Sequence, residues 1–176
     1  MSMFNPTWSS KLPIILGRPR LAIDNNVLSD FYLRKSTNPE LSYIFETSNI
    51  VSCCSRQVIN EALNAPSFAV ASRQLMWNKL GDLQNEGRLF LSGLTQMDIA
   101  TRDVYSQLAT LLGSSNLSPG KDANVFADSI VKCLPLYTTE RRSIDGMDRA
   151  LRNAKVSDFL GEHNLPTEIE KIVANV

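Results

Sequence analysis

The amino-acid sequence predicts one α/β domain, a three-layer α/β/α sandwich around a central, mainly parallel sheet of four or five strands. Short apolar runs alternate with stretches of helical periodicity, and helices rather than two-residue hairpin turns separate the runs. The 176 residues are enough to bury a sizeable core in a single domain. The composition, 43% hydrophobic and 20% charged, is typical of a soluble globular protein.

The first strand is predicted at residues 21–24 (LAID), and a helix at residues 25–34 follows it directly. Asn38 and Pro39 are residue types favoured at the N-cap and first position of a helix, so a second helix is predicted to begin there. Later elements alternate in the same way. They are a strand at 50–53, helices from Ser55 and Pro66, a strand at 88–91, helices from Thr95 and Ser118, a strand at 134–138 and a terminal helix from Thr167.

The balance of charge and the rarity of histidine limit the classes of function. Formal net charge is zero, so a bound polyanion would have to be held by a local patch or through a metal ion. The one histidine, His163, lies in a turn-like GEHNLP context without a visible orienting partner and is predicted to be a surface residue. Serine- and cysteine-nucleophile mechanisms that use a histidine base therefore have little support. Any chemistry must depend on carboxylates.

The cysteines and the N-terminal segment indicate the compartment. Cys53, Cys54 and Cys133 show no CxxC and no repeated metal-ligand spacing, and the first two lie in an apolar run where cysteine is a small buried hydrophobe. An odd number of unpaired cysteines suits a reducing cytosol. The apolar run LPIIL is too short for a secretory signal or a membrane span. We expect a cytoplasmic protein without membrane contact.

Four acidic residues lie near the predicted carboxyl ends of strands, where ligands bind in parallel α/β folds. Asp24 ends the first strand, and Glu61 lies on the helix after the second. Asp122 lies in the first turns of the helix before the fourth strand, and Glu140 follows that strand by two residues. Carboxylates brought together repel one another unless a cation neutralises them. Mg²⁺ and Mn²⁺ prefer carboxylate and water oxygens, so the pattern is compatible with metal-assisted hydrolysis of a phosphate ester.

Each of these residues also has a structural explanation. Asp24 can cap the helix that follows it, and Asp122 suits the first turn of a helix because of the helix dipole. Glu61 and Glu140 can be solvated surface residues. Asp128 lies about 120° around the helix from Asp122, at 3.6 residues per turn, and is a second-rank candidate. The spacing alone leaves both explanations open.

Four stretches of the chain carry a resemblance to a known family. LAIDNNVL is a predicted strand followed by Asp, a small polar residue, Asn and an apolar pair, and VSCCSRQVINEAL is a strand and a helix with a glutamate near its first turns. KDANVFADSIVKCLPLYTTERRSI is a helix that opens on Asp, a strand that ends in Thr and an acidic residue two positions later; GLTQMDIATRDVYSQLATLL is the helix before it. In this order they resemble the PIN domain, the fold of many metal-dependent ribonucleases, including VapC-like toxins. The resemblance covers residues 20–145, with residues 146–176 predicted as a helical extension of the same domain.

The resemblance implies an activity and partners. It implies an endoribonuclease dependent on Mg²⁺ or Mn²⁺, acting as the toxin of a type II toxin–antitoxin pair, with RNA as substrate, a cognate antitoxin protein and a homodimer. It also implies site residues. These are Asp24, Glu61 and Asp122 as metal-coordinating catalytic carboxylates, Glu140 as the fourth acidic residue, and Asn26 and Thr138 as supports through hydrogen bonds.

One departure from the family pattern leaves a rival open. Glu140 falls where the family usually has Asp or Asn, and its extra methylene displaces the carboxylate by about 1.5 Å. The rival is a PIN-like interaction module without nuclease activity. A dehalogenase-like phosphatase would need a second aspartate where Asn26 stands, so that class has weak support.

The candidate contacts to RNA phosphates are Lys121, beside Asp122, and Arg141 and Arg142, which follow Glu140. Arginine binds phosphate through two parallel hydrogen bonds, so a local basic cluster suits such a substrate. The competing explanation is that the two arginines pair with Asp145 and Asp148.

Overall fold

Five parallel strands form the centre of the protein. The computed structural model describes residues 4–92, 98–115, 117 and 121–174. The strands lie in the order β4-β3-β2-β5-β6, and a short β1 pairs antiparallel with β2. This arrangement confirms the predicted α/β class and its mainly parallel sheet. The strands are β1 (Ile14–Ile15), β2 (Arg18–Ile23), β3 (Val51–Ser55), β4 (Leu89–Ser92), β5 (Leu136–Thr138) and β6 (Lys171–Val173).

Helices cover both faces of this sheet in the three-layer arrangement. The chain segments between β2, β3 and β4 contain α1 to α4, and those between β4, β5 and β6 contain α5 to α8. α1 and α2 each continue as a π-helical segment, at Ser29–Leu33 and Tyr43–Thr47. No helix in the described ranges is both long and apolar enough to cross a membrane. The helices are α1 (Asn25–Leu28), α2 (Pro39–Ser42), α3 (Arg56–Leu63), α4 (Val70–Asn85), α5 (Ile99–Gly113), α6 (Asp122–Lys132), α7 (Arg141–Leu151) and α8 (Ala154–Glu162).

The strands at the centre are buried along consecutive residues rather than at alternate ones. Leu21, Ala22 and Ile23 of β2 are buried, as are all three residues of β5. A strand with helices on both faces needs apolar residues on both, which is why these segments read as continuous apolar runs. Helix α6 contributes Phe126 and Ile130 to the same core. The strand ends that carry the candidate site are therefore anchored in the most densely buried part of the protein.

Several local predictions hold and two are wrong. Asn38 caps α2 by accepting a hydrogen bond from the Glu40 N–H at 2.9 Å, and Pro39 is the first helical residue. The predicted terminal helix from Thr167 is wrong, because this segment forms β6 beside β5 and buries Ile172. The long helix begins at Val70 rather than Pro66. One face of this helix buries Met76, Leu80 and Leu83, whereas Leu75 is 63% exposed.

Two predicted helix starts concern residues that the structure does not describe. Thr95, the expected cap of the helix before residue 113, and Ser118, the expected start of the next helix, lie outside the described residues. Asp98 itself occupies the N-cap position of α5 and accepts a hydrogen bond from the Thr101 N–H at 2.7 Å. Helix α6 has Asp122 as its first residue.

The sheet grows in opposite directions from β2 and from β5, although the two strands are parallel. From β2 the sheet continues through β3 and β4 on one side, whereas β5 and β6 lie on the other side. Ile23 and Tyr137 are register partners, and the Asp24 N–H donates to the Tyr137 carbonyl at 3.1 Å. The carboxyl ends of these two strands therefore meet. Parallel α/β folds bind ligands at such a switch point.

Candidate functional site

Asp24 is a buried carboxylate held from two sides. It lies at the N-cap position of α1 and is 5% exposed. Its Oδ1 accepts a hydrogen bond from the Asn25 N–H at 2.7 Å, and its Oδ2 lies 3.3 Å from the Thr138 hydroxyl. The helix-cap explanation and the site explanation are thus compatible, because each uses a different oxygen of the same side chain.

Asn26 and Thr138 join the two strand ends. Asn26 Oδ1 lies 3.2 Å from the Thr138 hydroxyl and accepts a second bond from the Thr139 N–H at 3.2 Å. The Thr138 hydroxyl oxygen also accepts from the Glu140 N–H at 3.2 Å. A threonine hydroxyl has one proton, so Asp24 and Asn26 share a single donor. Both Asn26 and Thr138 lie where the sequence predicted supports for the site.

Asp122 connects the other acidic residues electrostatically. It is the first residue of α6 and is half-buried. Burial raises the pKa of the Asp122 carboxyl, Glu140 raises it further, and Lys121 lowers it. Burial also raises the pKa of Asp24 to about 6, with smaller upward contributions from Asp122 and Glu140. Like charges near one another disfavour the ionised carboxylates, which is the direction of these pKa shifts.

Glu61 is held at this region by a chain of side-chain amides. Burial raises its pKa, nearby Lys121 lowers it and Asp122 raises it. Gln57, one turn earlier on α3, donates to Glu61 Oε1 at 3.4 Å. Asn124 of α6 donates to Gln57 Oε1 at 2.8 Å. Gln57 and Asn124 thus tie α3 to α6 beside the acidic residues. Neither residue was predicted as part of the site. The signals in the sequence are the one-turn spacing of Gln57 from Glu61 and the position of Asn124 two residues after Asp122.

Glu140 lies at the rim of the site. It occupies the position before α7 without capping that helix and is exposed. Its Oε2 is 3.5 Å from the Ser143 hydroxyl, a long hydrogen bond. Its charge reaches Asp24 and Asp122, since it contributes to raising the pKa of both. Its main effect in this structure is therefore electrostatic.

The donor set has the chemistry of a hard-cation site. The four acidic residues and Thr138 present oxygen atoms, which Mg²⁺ and Mn²⁺ prefer. Within the described part of the chain, no group of three or more His, Cys, Asp or Glu side chains is placed to hold a metal ion jointly. Mg²⁺ commonly binds through one or two carboxylates and keeps several waters. Asp24 and Asp122 are carboxylates of the type that such a hydrated cation binds.

Two other residues considered from the sequence lie apart from this region. Asp128 is 4% exposed and forms an ion pair with Lys132 at 2.9 Å. His163 is half-buried rather than on the open surface; its ring packs on Phe159 with centroids 4.1 Å apart, and its Nδ1 is 2.9 Å from the Phe159 carbonyl. These contacts with Phe159 pack the ring against the end of α8 and account for the partial burial of His163.

The candidate phosphate contacts are exposed beside the acidic residues. Lys121, Arg141 and Arg142 are all exposed. Among the described residues, neither arginine forms an ion pair with Asp145 or Asp148, and Asp148 pairs with Lys171 at 2.7 Å. The arrangement in which both arginines are neutralised by these aspartates is therefore absent from the described part of the structure.

A buried pair beneath the site was missed from the sequence. The Tyr137 hydroxyl donates to Glu40 Oε2 at 2.7 Å, and the two residues are 0% and 2% exposed. Tyr137 directly precedes Thr138, so this bond connects the end of β5 to α2. A glutamate after Asn38-Pro39 looks like ordinary first-turn charge in the sequence, and only the tertiary fold places it against Tyr137.

Comparison with known proteins identifies no relative. No protein-family model matches the chain, and neither a curated protein nor a solved structure matches it.

Proposed function

We propose that this protein is a Mg²⁺- or Mn²⁺-dependent endoribonuclease of PIN type that hydrolyses RNA phosphodiester bonds. The observation that supports it most directly is the arrangement of acidic residues from four separate segments around Asp122 at the switch point of the sheet. Carboxylates that raise one another's pKa are unfavourable neighbours until a cation neutralises them. The order and spacing of the four PIN-like stretches supply the reaction class.

In the proposed mechanism, Asp24 and Asp122 would hold the cation, and Glu61 and Glu140 would assist through its water ligands. A divalent cation bound there would supply a Lewis acid and a water of lowered pKa for in-line attack on the phosphate. Asp24 needs little reorganisation, because its two oxygens are already oriented by the Asn25 N–H and the Thr138 hydroxyl. Fixed donors and charges of this kind reduce the cost of reaching the transition state.

The basic residues at the rim have a separate role in this proposal. Lys121 is exposed beside Asp122, and Arg141 and Arg142 follow Glu140 without an ion-pair partner in the described ranges. Because formal net charge is zero, these side chains supply local positive charge for RNA phosphates rather than a whole-molecule field. They position the backbone of the substrate and carry no base specificity.

The proposal includes a biological role as the toxin of a type II toxin–antitoxin pair, with a cognate antitoxin and a homodimer. Exposed apolar side chains are compatible with protein partners, since Leu16, Ile99 and Val70 are 89%, 75% and 73% exposed. Induced expression in a bacterial host should arrest growth, and Asp24→Asn should relieve the arrest at equal protein level. Arrest that persists with Asp24→Asn would contradict a nuclease toxin.

Cleavage of RNA tests the activity itself. Purified protein is incubated with single-stranded and structured RNA in Mn²⁺ or with chelator, beside Asp24→Asn and Asp122→Asn. Asp158→Asn, at an exposed carboxylate of α8, is the matched control. We expect chelator to abolish cleavage and the control to retain full activity. In each site variant the rate of RNA cleavage should fall by about 100-fold or more. Equal cleavage by all variants, or no effect of chelator, would show that the metal-nuclease proposal is wrong.

The rival function is an interaction module without nuclease activity, and the exposed position of Glu140 at the rim is the observation that favours it. The two functions differ in metal binding. Calorimetric titration with Mn²⁺ should give a divalent site in the wild type that Asp122→Asn weakens. A wild type that binds no Mn²⁺ and cleaves no RNA would favour the interaction module.

A further inference from the structure

A cavity of about 400 Å³ lies at the carboxyl ends of β5 and β6, where Thr139 and Ala174 line it. Thr139 forms part of its wall, and this residue stands between Thr138 and Glu140. The Thr139 N–H donates to Asn26 Oδ1 at 3.2 Å, so the wall is fixed by the same amide that joins the two strand ends. Its volume is within the range of small-molecule sites. Thr139 therefore connects this cavity to the segment that carries Thr138 and Glu140.

The lining of this cavity has a definite chemistry. Pro39, Leu41 and Ala174 supply apolar surface, and the last two are almost fully buried. The polar atoms come from the hydroxyls of Ser36, Thr37 and Thr139, the Asn38 amide and the Asp30 carboxylate. The hydroxyls of Thr37 and Thr139 have no hydrogen-bond partner among the described residues. No lysine or arginine is among the described residues that line it. The cavity thus suits an uncharged, partly flat group rather than a phosphate.

Asp30 supplies the one carboxylate among the described residues of this lining. Its Oδ1 accepts a hydrogen bond from Arg34 Nη1 at 2.7 Å, and its side chain is 26% exposed. Its Oδ2 has no hydrogen-bond partner in the described part of the chain. An ionised carboxylate accepts hydrogen bonds and donates none. Asp30 therefore offers a hydrogen-bond acceptor to N–H or O–H donors on a group that enters the cavity.

We propose that this cavity receives the base of a nucleotide adjacent to the scissile phosphate and that Asp30 selects guanine there. This inference rests on the proposed ribonuclease function. Guanine presents two neighbouring N–H donors on its Watson–Crick edge, whereas uracil presents one donor between two carbonyl oxygens that a carboxylate repels. Sequence-specific proteins read single-stranded RNA through such base edges. The apolar floor packs against the face of the base, and the threonine hydroxyls contact its other polar atoms.

Cleavage of a randomised single-stranded RNA in Mn²⁺, followed by sequencing of the new ends, tests the base preference. We expect the wild type to prefer guanine at one position beside the cut. Asp30→Asn exchanges a carboxylate oxygen for an amide donor and should reduce that preference roughly tenfold. Arg34→Gln is the matched control, since it breaks the same ion pair and keeps the carboxylate. An unchanged preference in Asp30→Asn, or a preference lost equally in Arg34→Gln, would overturn the proposal.

A binding measurement separates failure of the subsite from failure of the nuclease. Guanosine and uridine are titrated into the full chain, and the backbone amide resonances of Thr37 and Thr139 are followed. Shifts with guanosine that Asp30→Asn removes would support the base site even if no RNA is cleaved. No shift with either nucleoside, in a wild type that cleaves RNA without base preference, would show that the cavity is not a base site. Thr37→Val, which keeps the side-chain shape, provides a second variant should Asp30→Asn not fold.

Discussion

The Thr138 hydroxyl oxygen lies 3.3 Å from Asp24 Oδ2, and the two residues are 0% and 5% exposed. This contact links the end of β5 to the end of β2. The same hydroxyl oxygen accepts from the Glu140 N–H and shares its proton with Asn26. One buried hydroxyl thus links the two segments of the candidate site, the one that follows β2 and the one that follows β5. Its contribution to function would be to orient Asp24 rather than to take part in the reaction.

Replacing this hydroxyl should weaken metal binding more than it weakens the fold. Thr138→Val keeps a β-branched side chain in the strand but removes every hydrogen bond of the hydroxyl. We expect Mn²⁺ affinity and RNA cleavage to fall roughly 10–100-fold, the usual effect of losing a group that orients a metal ligand. The free energy of unfolding should fall by about 1 kcal/mol. Thr138→Ser retains the hydroxyl and should restore most of the affinity; equal losses in both variants would contradict an orienting role.

The stability of the metal-free protein should depend on Asp24 and pH. Burial raises the pKa of Asp24 from 3.8 to about 6, so the folded protein holds a proton between these values that the unfolded chain releases. The protonated Asp24 carboxyl therefore contributes to the free energy of unfolding in full below pH 3.8. This contribution is lost as the pH rises through about 6. The loss approaches about 3 kcal/mol, at 1.36 kcal/mol per pKa unit.

Asp24→Asn isolates this effect because its amide does not ionise and can still accept from the Asn25 N–H. Denaturant unfolding in chelator, from pH 4 to pH 8, should show the variant gaining stability relative to the wild type as the pH rises. Added Mn²⁺ should reduce that difference, since the cation favours the ionised carboxylate. A difference that does not change with pH would mean that Asp24 is not held at a raised pKa.

The sequence patterns predicted that Asp24 and Thr138 lie at the same edge of the sheet, whereas the pairing of β2 with β5 is known only from the structure. Two apolar runs, each ending in a polar residue, predict parallel strands whose carboxyl ends meet at one edge. The supporting roles of Asn26 and Thr138 were implied by the resemblance to the PIN domain. These predictions succeed because burial of consecutive apolar residues determines strand pairing, and the polar residue after each strand is carried to a fixed place.

Other features depend on contacts that a local pattern does not contain. The segment at Lys171–Val173 has no strong periodicity and becomes β6 only because β5 offers an unpaired edge. The hydrogen bond from Asn124 to Gln57 joins helices that are far apart in sequence and depends on how α3 packs beside α6. The buried pair of Glu40 and Tyr137 has the same origin. Side-chain partners between distant elements are determined by tertiary packing, so they follow from the fold and not from spacing.

Cys133 ends α6 in a conformation that suits glycine. Its φ is +57°, in the left-handed region where a Cβ atom is strained, and helices commonly end there with glycine. We expect Cys133→Gly to raise the free energy of unfolding by about 1 kcal/mol without changing RNA cleavage. Cys133→Ala is the control, because it removes the thiol and keeps Cβ. Thermal unfolding measures the effect. If Cys133→Ala gained as much stability as Cys133→Gly, the gain would come from removing the thiol and not from relieving the backbone.

Substitutions of Glu140 test whether this residue binds the metal directly or acts on the site only through its charge. Its side chain is exposed, and its hydrogen bond to Ser143 is long. We therefore expect Glu140→Gln, which removes the charge at constant size, to lower RNA cleavage by no more than about tenfold, far less than Asp24→Asn. Glu140→Asp keeps the charge and should stay within a few-fold of wild type, since a contact through water tolerates a shift of about 1.5 Å. Parallel measurements of kcat/KM and Mn²⁺ affinity test this order. Losses of kcat/KM and Mn²⁺ affinity in Glu140→Gln as large as those in Asp24→Asn would mean that Glu140 binds the metal directly. The segment after β5 would then have to move toward the other carboxylates when the metal binds.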